Sequence, residues 1–293
     1  MTTSTPVIVQ LPLPGASADP LRAAAWTRDA VAAAAELGAE AVLIPHGEEP
    51  ALDPTVLAGL LSADGIDIPL IVEARTGGHA PFNLARRLQT LARITGGRAG
   101  LYLRDTGVDP VTAASRPGAA AASAVLGEYV RVLRRLWDSF PESALLGDRD
   151  AGLFADVDQI APARHRGETY GVEGALNVPI APGRRPVVLV DAESLDGDAP
   201  VDAVVSRTGT PLAGASSYRP LVWRPAAVDA GFAPGAAPPS GGVLLRIDAS
   251  PAETPAHLEA ALDALVHETG RGAGPAGDGA LLQRLRTASA AAA

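Results

Sequence analysis

The chain contains no cysteine, which excludes disulfides, thiolate metal sites and nucleophilic catalysis by a thiol. Aromatic residues are scarce, at 4% against an apolar content of 47%, so we expect a core of alanine, valine and leucine. The net charge of −9 argues against nucleic acid or an anionic membrane as a partner. The opening MTTSTP does not resemble a signal peptide, and no apolar run approaches the ~18 residues of a membrane span. We therefore expect a cytoplasmic protein.

Short apolar runs alternate with helical patterns through the first hundred residues. The runs predict strands at Val7–Val9, Ala41–Ile44, Pro69–Val72 and Leu101–Leu103. Between them, helices are predicted over Pro20–Leu37, from Asp53 or Thr55 to Leu61, and over Pro81–Ile94. Strands separated by helices are typical of a parallel sheet.

The second half of the chain shows the same alternation in a shortened form. A helix is predicted from about Val125 to Trp137, after a stretch of low information at 107–124. Pro141–Arg185 is a long irregular segment, typical of a functional loop or a packed excursion. Four further strands are predicted at Val187–Val190, Val201–Val205, Pro220–Trp223 and Val243–Ile247, and two alanine-rich helices at Pro255–Glu268 and Gly279–Ser289.

Eight predicted strands favour an α/β fold of the TIM type, a (β/α)8 barrel formed by a single domain over residues 1–293. This barrel would carry an irregular insertion at 141–185 before strand five, and short or missing helices in its second half. An open α/β sheet is the alternative, because Asp191–Pro200 is barely long enough for a crossover between parallel strands.

The stretch Pro186–Gly197 carries the strongest signal of a site. A buried strand ends at Asp191, and Ser194 and Gly197 follow in a small polar turn. In α/β proteins such a turn is where anionic ligands are usually bound.

Three segments of the chain carry a more specific pattern. They are PFNLARRLQTLARITGGRAG at Pro81–Gly100, EYVRVLRRLWDSF at Glu128–Phe140, and HRGETYGVEGALNVP at His165–Pro179, which is followed by RRPVVLVDA. Together they resemble the bacterial luciferase-like monooxygenases, in the branch that oxidises nitrilotriacetate and dibenzothiophene sulfone. The resemblance extends over roughly a third of the chain.

The resemblance implies a barrel that binds reduced FMN, supplied by a separate reductase, at the C-terminal ends of its strands. The enzyme would then transfer one oxygen atom from O2 to a small organic substrate. It further implies that Tyr102, Ser194 and Gly197 contact the flavin, and that His46, Glu73 and Arg75 lie near the substrate. The protein would form a homo-oligomer or pair with a homologue.

The chain departs from the family at several of these positions. Glu73 and Arg75 stand where the family has Thr and Ser, and strand four lacks the family's Trp-Asn pair. The helix that follows strand five in the family, and that holds the FMN phosphate, has little room here. Acidic residues also surround Ser194, namely Asp191, Glu193, Asp196 and Asp198, which disfavours a phosphate dianion. The alternative function is therefore a non-catalytic homologue that serves as a partner or a small-molecule binding protein.

Each candidate residue also has an alternative role. His46 can be a surface histidine, and Glu73 with Arg75 can be a solvated ion pair. Tyr102 shares a strand face with Arg104, and could either stack on a ring or pack in the barrel. His165 is more simply a structural residue of its motif.

Overall fold

The computed structural model describes residues 7–14, 17–47, 52–116, 125–180, 183–195, 199–206, 219–226, 243–247 and 260. Eight parallel strands form a closed barrel in chain order. They are β1 (Val7–Gln10), β2 (Ala41–Ile44), β3 (Leu70–Arg75), β4 (Ala99–Arg104), β5 (Val187–Asp191), β6 (Ala203–Ser206), β7 (Arg219–Ala226) and β8 (Val243–Ile247). The first strand pairs with the last, with Val7 opposite Val243. This closure confirms the predicted barrel and excludes the open sheet.

The described helices are α1 (Pro20–Glu36), α2 (Pro54–Ala63), α3 (Pro81–Ile94), α4 (Pro110–Ser115) and α5 (Val125–Asp138). The first four begin with a proline, whose fixed φ suits the first helical position. Asp19, Asp53 and Asp109 cap α1, α2 and α4 by accepting hydrogen bonds from backbone N–H groups. The short helix α4 lies in the stretch that offered no prediction. The predicted helices at Pro255–Glu268 and Gly279–Ser289 lie outside the described residues.

Strand alternation separates two apolar cores. Inward side chains fill the barrel, and outward side chains pack against the helices. The interior set consists of Ile8, Ala41, Leu43, Ile71, Tyr102, Val187, Leu189, Ala203, Val205 and Leu244. The described part of the interior is therefore a packed apolar core, and the ends of the barrel are where a ligand is expected to bind.

The predicted irregular insertion is a packed excursion that contains two short hairpins. The first pairs Leu145–Asp148 with Leu153–Ala155, and the second pairs His165–Arg166 with Gly171–Val172. The end of α5 holds the segment in place: Ser139 Oγ accepts a hydrogen bond from the backbone N–H of Leu176 at 2.8 Å. Among the described residues, no helix is long and apolar enough to cross a bilayer.

The connection between β5 and β6 is short, as the sequence indicated. Its first residues form a single 3-10 turn, Ala192–Ser194. Residues 199–202 then run without helix into β6, which begins at Ala203 and not at the predicted Val201. Asp202 lies just before the strand, where its carboxylate accepts a hydrogen bond from Val188 N–H at 2.7 Å and pairs with Arg134.

Candidate active site

The C-terminal ends of three neighbouring strands bring charged side chains to one mouth of the barrel. Ile71, Tyr102 and Leu189 point into the barrel, and side chains two residues further on share that face. The inward positions that follow are Glu73 and Arg75 on β3, Arg104 on β4 and Asp191 on β5. An inward charge at the end of a barrel strand lies at the edge of the core, where a ligand can reach it.

Asp191 joins β5 to β4 through two contacts. Its Oδ1 accepts a hydrogen bond from the hydroxyl of Tyr102, and its Oδ2 lies 3.0 Å from Nε of Arg104. The guanidinium of Arg104 in turn lies 5.8 Å from the centre of the Tyr102 ring, a cation–π distance. Asp191 therefore points into the barrel with its charge compensated, and it does not lie free beside Ser194.

Tyr102 has a different position from the one that flavin stacking would require. Its side chain is 2% exposed and belongs to the barrel interior. Arg104 lies against its ring, and its hydroxyl is bonded to Asp191. Tyr102 therefore lies on the interior side of Arg104 and Asp191 and contacts both of them.

Glu73 and Arg75 do not form the ion pair that the sequence left open as an alternative. Glu73 is 6% exposed and makes no hydrogen bond or ion pair with another described residue. Arg75 instead donates a hydrogen bond from Nη2 to the backbone oxygen of Gly47 at 2.6 Å. The oxygens of Glu73 are not among the buried side-chain atoms that lack a partner in the described structure, so its carboxylate reaches the open end of the mouth.

His46 lies beside Arg75, because both contact the same carbonyl. Nδ1 of His46 is 3.0 Å from the oxygen of Gly47, which also accepts from Arg75. This contact requires a proton on Nδ1 and leaves Nε2 as the basic nitrogen. The structure therefore brings two of the three predicted substrate residues together at the end of β2, where the sequence placed His46.

The predicted phosphate site consists of a turn without a following helix. Ser194 ends the 3-10 turn and is half-buried, and its hydroxyl forms no hydrogen bond with another described residue. Gly197 lies outside the described residues. The described part of this connection therefore offers a hydroxyl group but no helix N-terminus to an anion.

A clamp between the loops that follow β3 and β4 was not predicted from the sequence. Thr76 Oγ1 donates to Asp105 Oδ1 at 3.1 Å and accepts from Thr106 N–H at 2.9 Å. Thr106 Oγ1 accepts from Gly77 N–H at 3.0 Å. A Cβ on Gly77 would lie 2.9 Å from the Thr106 backbone oxygen, so glycine is required there. The hydroxyl of Thr106 thus holds one wall of the mouth in place.

The second hairpin of the excursion forms another part of this wall. It docks on the first turn of α5, which lies near the mouth because the helices run antiparallel to the strands. Buried Glu128 accepts hydrogen bonds from His165 Nε2 at 2.9 Å and from the N–H groups of Thr169 and Tyr170 at 2.9 and 2.8 Å. Burial raises the pKa of Glu128, but the hydrogen bonds from His165 and from the two N–H groups outweigh it and lower the pKa overall. His165 is therefore structural.

Two buried tyrosines lie behind the hairpin. The rings of Tyr129 and Tyr170 meet edge to face, with their centres 5.3 Å apart, and Tyr129 donates to the backbone oxygen of His79 at 2.7 Å. The hydroxyl of Tyr170 and Oδ2 of Asp109 are both buried without a hydrogen-bond partner in the described structure. Burial, and then the negative charge of Asp109, raises the pKa of Tyr170 far above its usual value. Both phenols therefore stay neutral. The hydroxyl of Tyr170 and Oδ2 of Asp109 are the two atoms of this part of the wall that could still form a hydrogen bond.

Comparison with known proteins gives a family match over almost the whole chain. The family model described as luciferase-like monooxygenase matches residues 8–292. N-acetyl-S-(2-succino)cysteine monooxygenase of Bacillus subtilis is 30% identical over 152 residues, which are 50% of this chain and 34% of that protein. One of the subunits of pristinamycin IIA synthase from Streptomyces pristinaespiralis is 31% identical over 57% of each chain. Nitrilotriacetate monooxygenase component A of Aminobacter aminovorans is 31% identical over 50% of this chain and 33% of that protein. The chain thus spans between a third and just over half of these relatives.

Solved structures agree on the fold. EDTA monooxygenase of Chelativorans sp. BNC1 superposes with a TM-score of 0.56 at 20% identity, covering 76% of this chain and 62% of that one. A riboflavin lyase, solved with modified FMN and riboflavin, gives a TM-score of 0.57 at 17% identity and the same coverage. At these identities the likeness concerns the fold alone.

Proposed function

The chain belongs to the luciferase-like monooxygenase family, and from this premise we propose that it is a flavin-dependent oxidoreductase. In this proposal reduced FMN binds at the C-terminal mouth, and one oxygen atom is transferred to a small organic substrate. The observation that carries the proposal is the group of charged side chains on three neighbouring strands at the mouth of the closed barrel, the end at which barrel enzymes bind their ligands. Reduced FMN, when bound, supplies the electrons that activate O2.

The residues present fit FMN in charge. The flavin phosphate is a dianion, and the sequence placed several acids around Ser194. One of them is compensated, because Asp191 pairs with Arg104 and Tyr102. We propose that Ser194 and Gly197 contact the phosphate, that Arg104 faces the flavin, and that Tyr102 supports Arg104. Without a described helix N-terminus at this turn, we expect weaker phosphate binding than a full helix would give.

The proposed roles of the substrate residues follow from their contacts. Arg75 binds an acidic group of the substrate, because most of its N–H donors are not used by the described chain. His46 exchanges a proton with the substrate through Nε2, while the Gly47 carbonyl fixes the other ring nitrogen. Glu73 accepts a hydrogen bond from the substrate. The β3–β4 clamp and the second hairpin keep water from the mouth, which strengthens each of these polar contacts.

We propose two protein partners as well. A separate reductase would supply reduced FMN, an arrangement favoured by the relative that is named as component A of a monooxygenase. A second copy of the chain, or a homologue, would complete the assembly, as the relative named as one of the subunits of a synthase suggests.

A flavin titration tests the proposal. The purified protein is titrated with FMN, first oxidised and then reduced under anaerobic conditions, and binding is followed by flavin absorbance and fluorescence. We expect saturable binding at micromolar concentrations that is lost in Ser194→Asp and kept in Ser143→Asp, the same change at an exposed serine of the excursion. Failure to bind in either redox state would overturn the proposal and favour the non-catalytic homologue.

A further inference from the structure

A small cavity lies at the opposite end of the barrel from the mouth, where the strands begin. It has a volume of about 150 Å³ and is lined by Gln89, Ala92 and Arg93 of α3, by Glu142 and by Arg184. Glu142 follows α5, and Arg184 precedes β5, so the cavity joins three segments that are distant in the chain. Pockets for molecules of drug size occupy ~300–1,000 Å³, and this cavity therefore suits a single small group.

Gln89 brings a polar atom without a partner to the cavity. Its side chain is 0% exposed, and its Nε2 donates to the backbone oxygen of Pro179 at 3.1 Å. Because that bond requires the nitrogen on the side of Pro179, the other amide atom is the oxygen, and this Oε1 is buried without a hydrogen-bond partner in the described structure. A buried acceptor is unfavourable without a donor. A molecule in the cavity that Gln89 lines can supply one.

The two arginines of the cavity retain donors for an anion. Arg184 forms no hydrogen bond or ion pair with another described residue. Its stem packs on Gly97, where an added Cβ would lie 2.9 Å from Cγ of Arg184. Arg93 uses a single nitrogen, Nη1, on Oε1 of Glu142 and on the backbone oxygen of Pro179, each at 3.4 Å. Both guanidinium groups therefore have N–H groups with which to bind an oxyanion.

These groups together restrict the chemistry of the ligand. A cation would meet the guanidinium groups of Arg93 and Arg184. An oxyanion without a proton would satisfy the arginines, but it would leave Oε1 of Gln89 without a donor and would face the carboxylate of Glu142. An oxyanion that keeps an O–H group satisfies the arginines and the amide oxygen at once.

We propose that this cavity binds a hydrogen phosphate group. Its P–O oxygens accept from Arg93 and Arg184, and its P–OH group donates to Oε1 of Gln89. The bound group links the end of α3 to the residues that lead into β5, and it is held at the end of the barrel that the proposed function does not use. The cavity is thus a second binding site, separate from the mouth.

A comparison of two ions of similar shape tests the proposal. Inorganic phosphate keeps at least one P–OH group at pH 7, whereas sulfate has no O–H group. Each is titrated calorimetrically at constant ionic strength. Binding is measured directly because both ions also stabilise proteins in general, through exclusion from their surface. The proteins are the wild type, Arg184→Gln, Gln89→Met, and the control Arg22→Gln, which changes an exposed arginine of α1.

We expect the wild type and the control to bind phosphate at least about tenfold more tightly than sulfate, because a site that bonds a hydroxyl rejects the analogue without it. Gln89→Met should remove that preference, and Arg184→Gln should weaken phosphate binding about tenfold or more, as for the loss of a charged hydrogen bond. The inference is overturned if the wild type binds both ions equally, if Gln89→Met keeps the preference, or if Arg184→Gln binds phosphate as well as the wild type. The first and last of these outcomes do not depend on the folding of a variant with a changed core.

Methyl phosphate distinguishes the free ion from a phosphate ester. At about pH 5 a monoester keeps one P–OH group, because its second pKa is about 6. Tight binding of methyl phosphate at that pH would assign the cavity to a phosphorylated molecule, and binding of inorganic phosphate alone would assign it to the free ion; binding of neither overturns the inference. Arg184→Gln should leave the affinity for FMN unchanged, since the flavin is placed at the other end of the barrel. A loss of FMN binding would instead place the flavin phosphate in this cavity and overturn the claim of a second site.

Discussion

Removing the carboxylate of Glu128 should detach the second hairpin from α5. In Glu128→Ala, the N–H groups of Thr169 and Tyr170 and Nε2 of His165 all lose their acceptor. Hydrogen bonds to a charged group contribute about 1.5–3 kcal/mol each, and contributions within one network do not simply add. We therefore expect a loss of about 3–5 kcal/mol, the range measured when one partner of a buried pair is removed. Glu128→Gln keeps one acceptor oxygen and should lose about 1–3 kcal/mol.

The same contacts predict a pH dependence. The pKa of folded Glu128 lies below its ordinary value of 4.5, so the folded state holds the ionised form more strongly than the unfolded chain does. Its stabilising contribution is complete above pH 4.5 and decreases as the pH falls through the lower, folded pKa. The difference in stability between the wild type and Glu128→Gln should therefore be constant near neutral pH and should shrink in acid.

Urea and thermal unfolding between pH 7 and pH 3 measure both effects, together with hydrogen exchange of the hairpin amides. A loss of 3–5 kcal/mol corresponds to a melting temperature lower by roughly 10 °C for a domain of this size. The matched control is Glu173→Gln on the same hairpin, because the pair of Glu173 with Arg166 is exposed and should be worth less than about 1 kcal/mol. If Glu128→Ala were no less stable than this control, or if its hairpin amides stayed equally protected, the docking argument would be wrong.

Three further changes test the mouth of the barrel. Glu73→Gln should leave the melting temperature of the ligand-free protein nearly unchanged, because Glu73 makes no hydrogen bond or ion pair with another described residue and its oxygens are not buried atoms that lack a partner; a large change in melting temperature would contradict this reasoning. Tyr102→Phe should destabilise the protein by about 1–3 kcal/mol, since Asp191 loses a buried donor, and it should weaken FMN binding; an unchanged urea midpoint would show that Arg104 alone satisfies Asp191. Gly77→Ala should weaken FMN binding, because its Cβ would displace the loop that follows β4; unaltered flavin affinity would show that the clamp does not shape the mouth.

The alternation of strands and helices could be predicted where the pattern of apolar residues was regular. Helix α3 was predicted with both of its ends, because Pro81 begins it and two glycines follow Ile94 closely. The third and fourth strands were predicted too short. Their last inward residues, Arg75 and Arg104, are charged, and a charged residue ends an apolar pattern even where the strand continues. These two errors therefore lie at the mouth, whereas the start of β6 was predicted wrongly at the opposite end of the barrel.

The contacts of the site required information that the sequence does not contain. The pairing of Asp191 with Tyr102 and Arg104 depends on the register between β4 and β5, which the whole excursion separates in the chain. From the sequence, Asp191 counted as an acid beside Ser194 that would repel a phosphate. Strand alternation instead turns it inward. The docking of Glu128 on the excursion was also missed, because a single glutamate in an amphipathic helix gives no sign of being buried.

The pairing of the mouth charges bears on whether the barrel has kept a binding site. Loss of a site without replacement would leave charges at the mouth either absent or solvated. Here Tyr102, Arg104 and Asp191 form one connected group across two strands, and each of its members would be less stable without the others. Glu73 adds a further inward carboxylate on the neighbouring strand β3. A connected group of charges at the C-terminal end of a barrel is typical of a site that binds a ligand, and this favours a working mouth over a degenerate one.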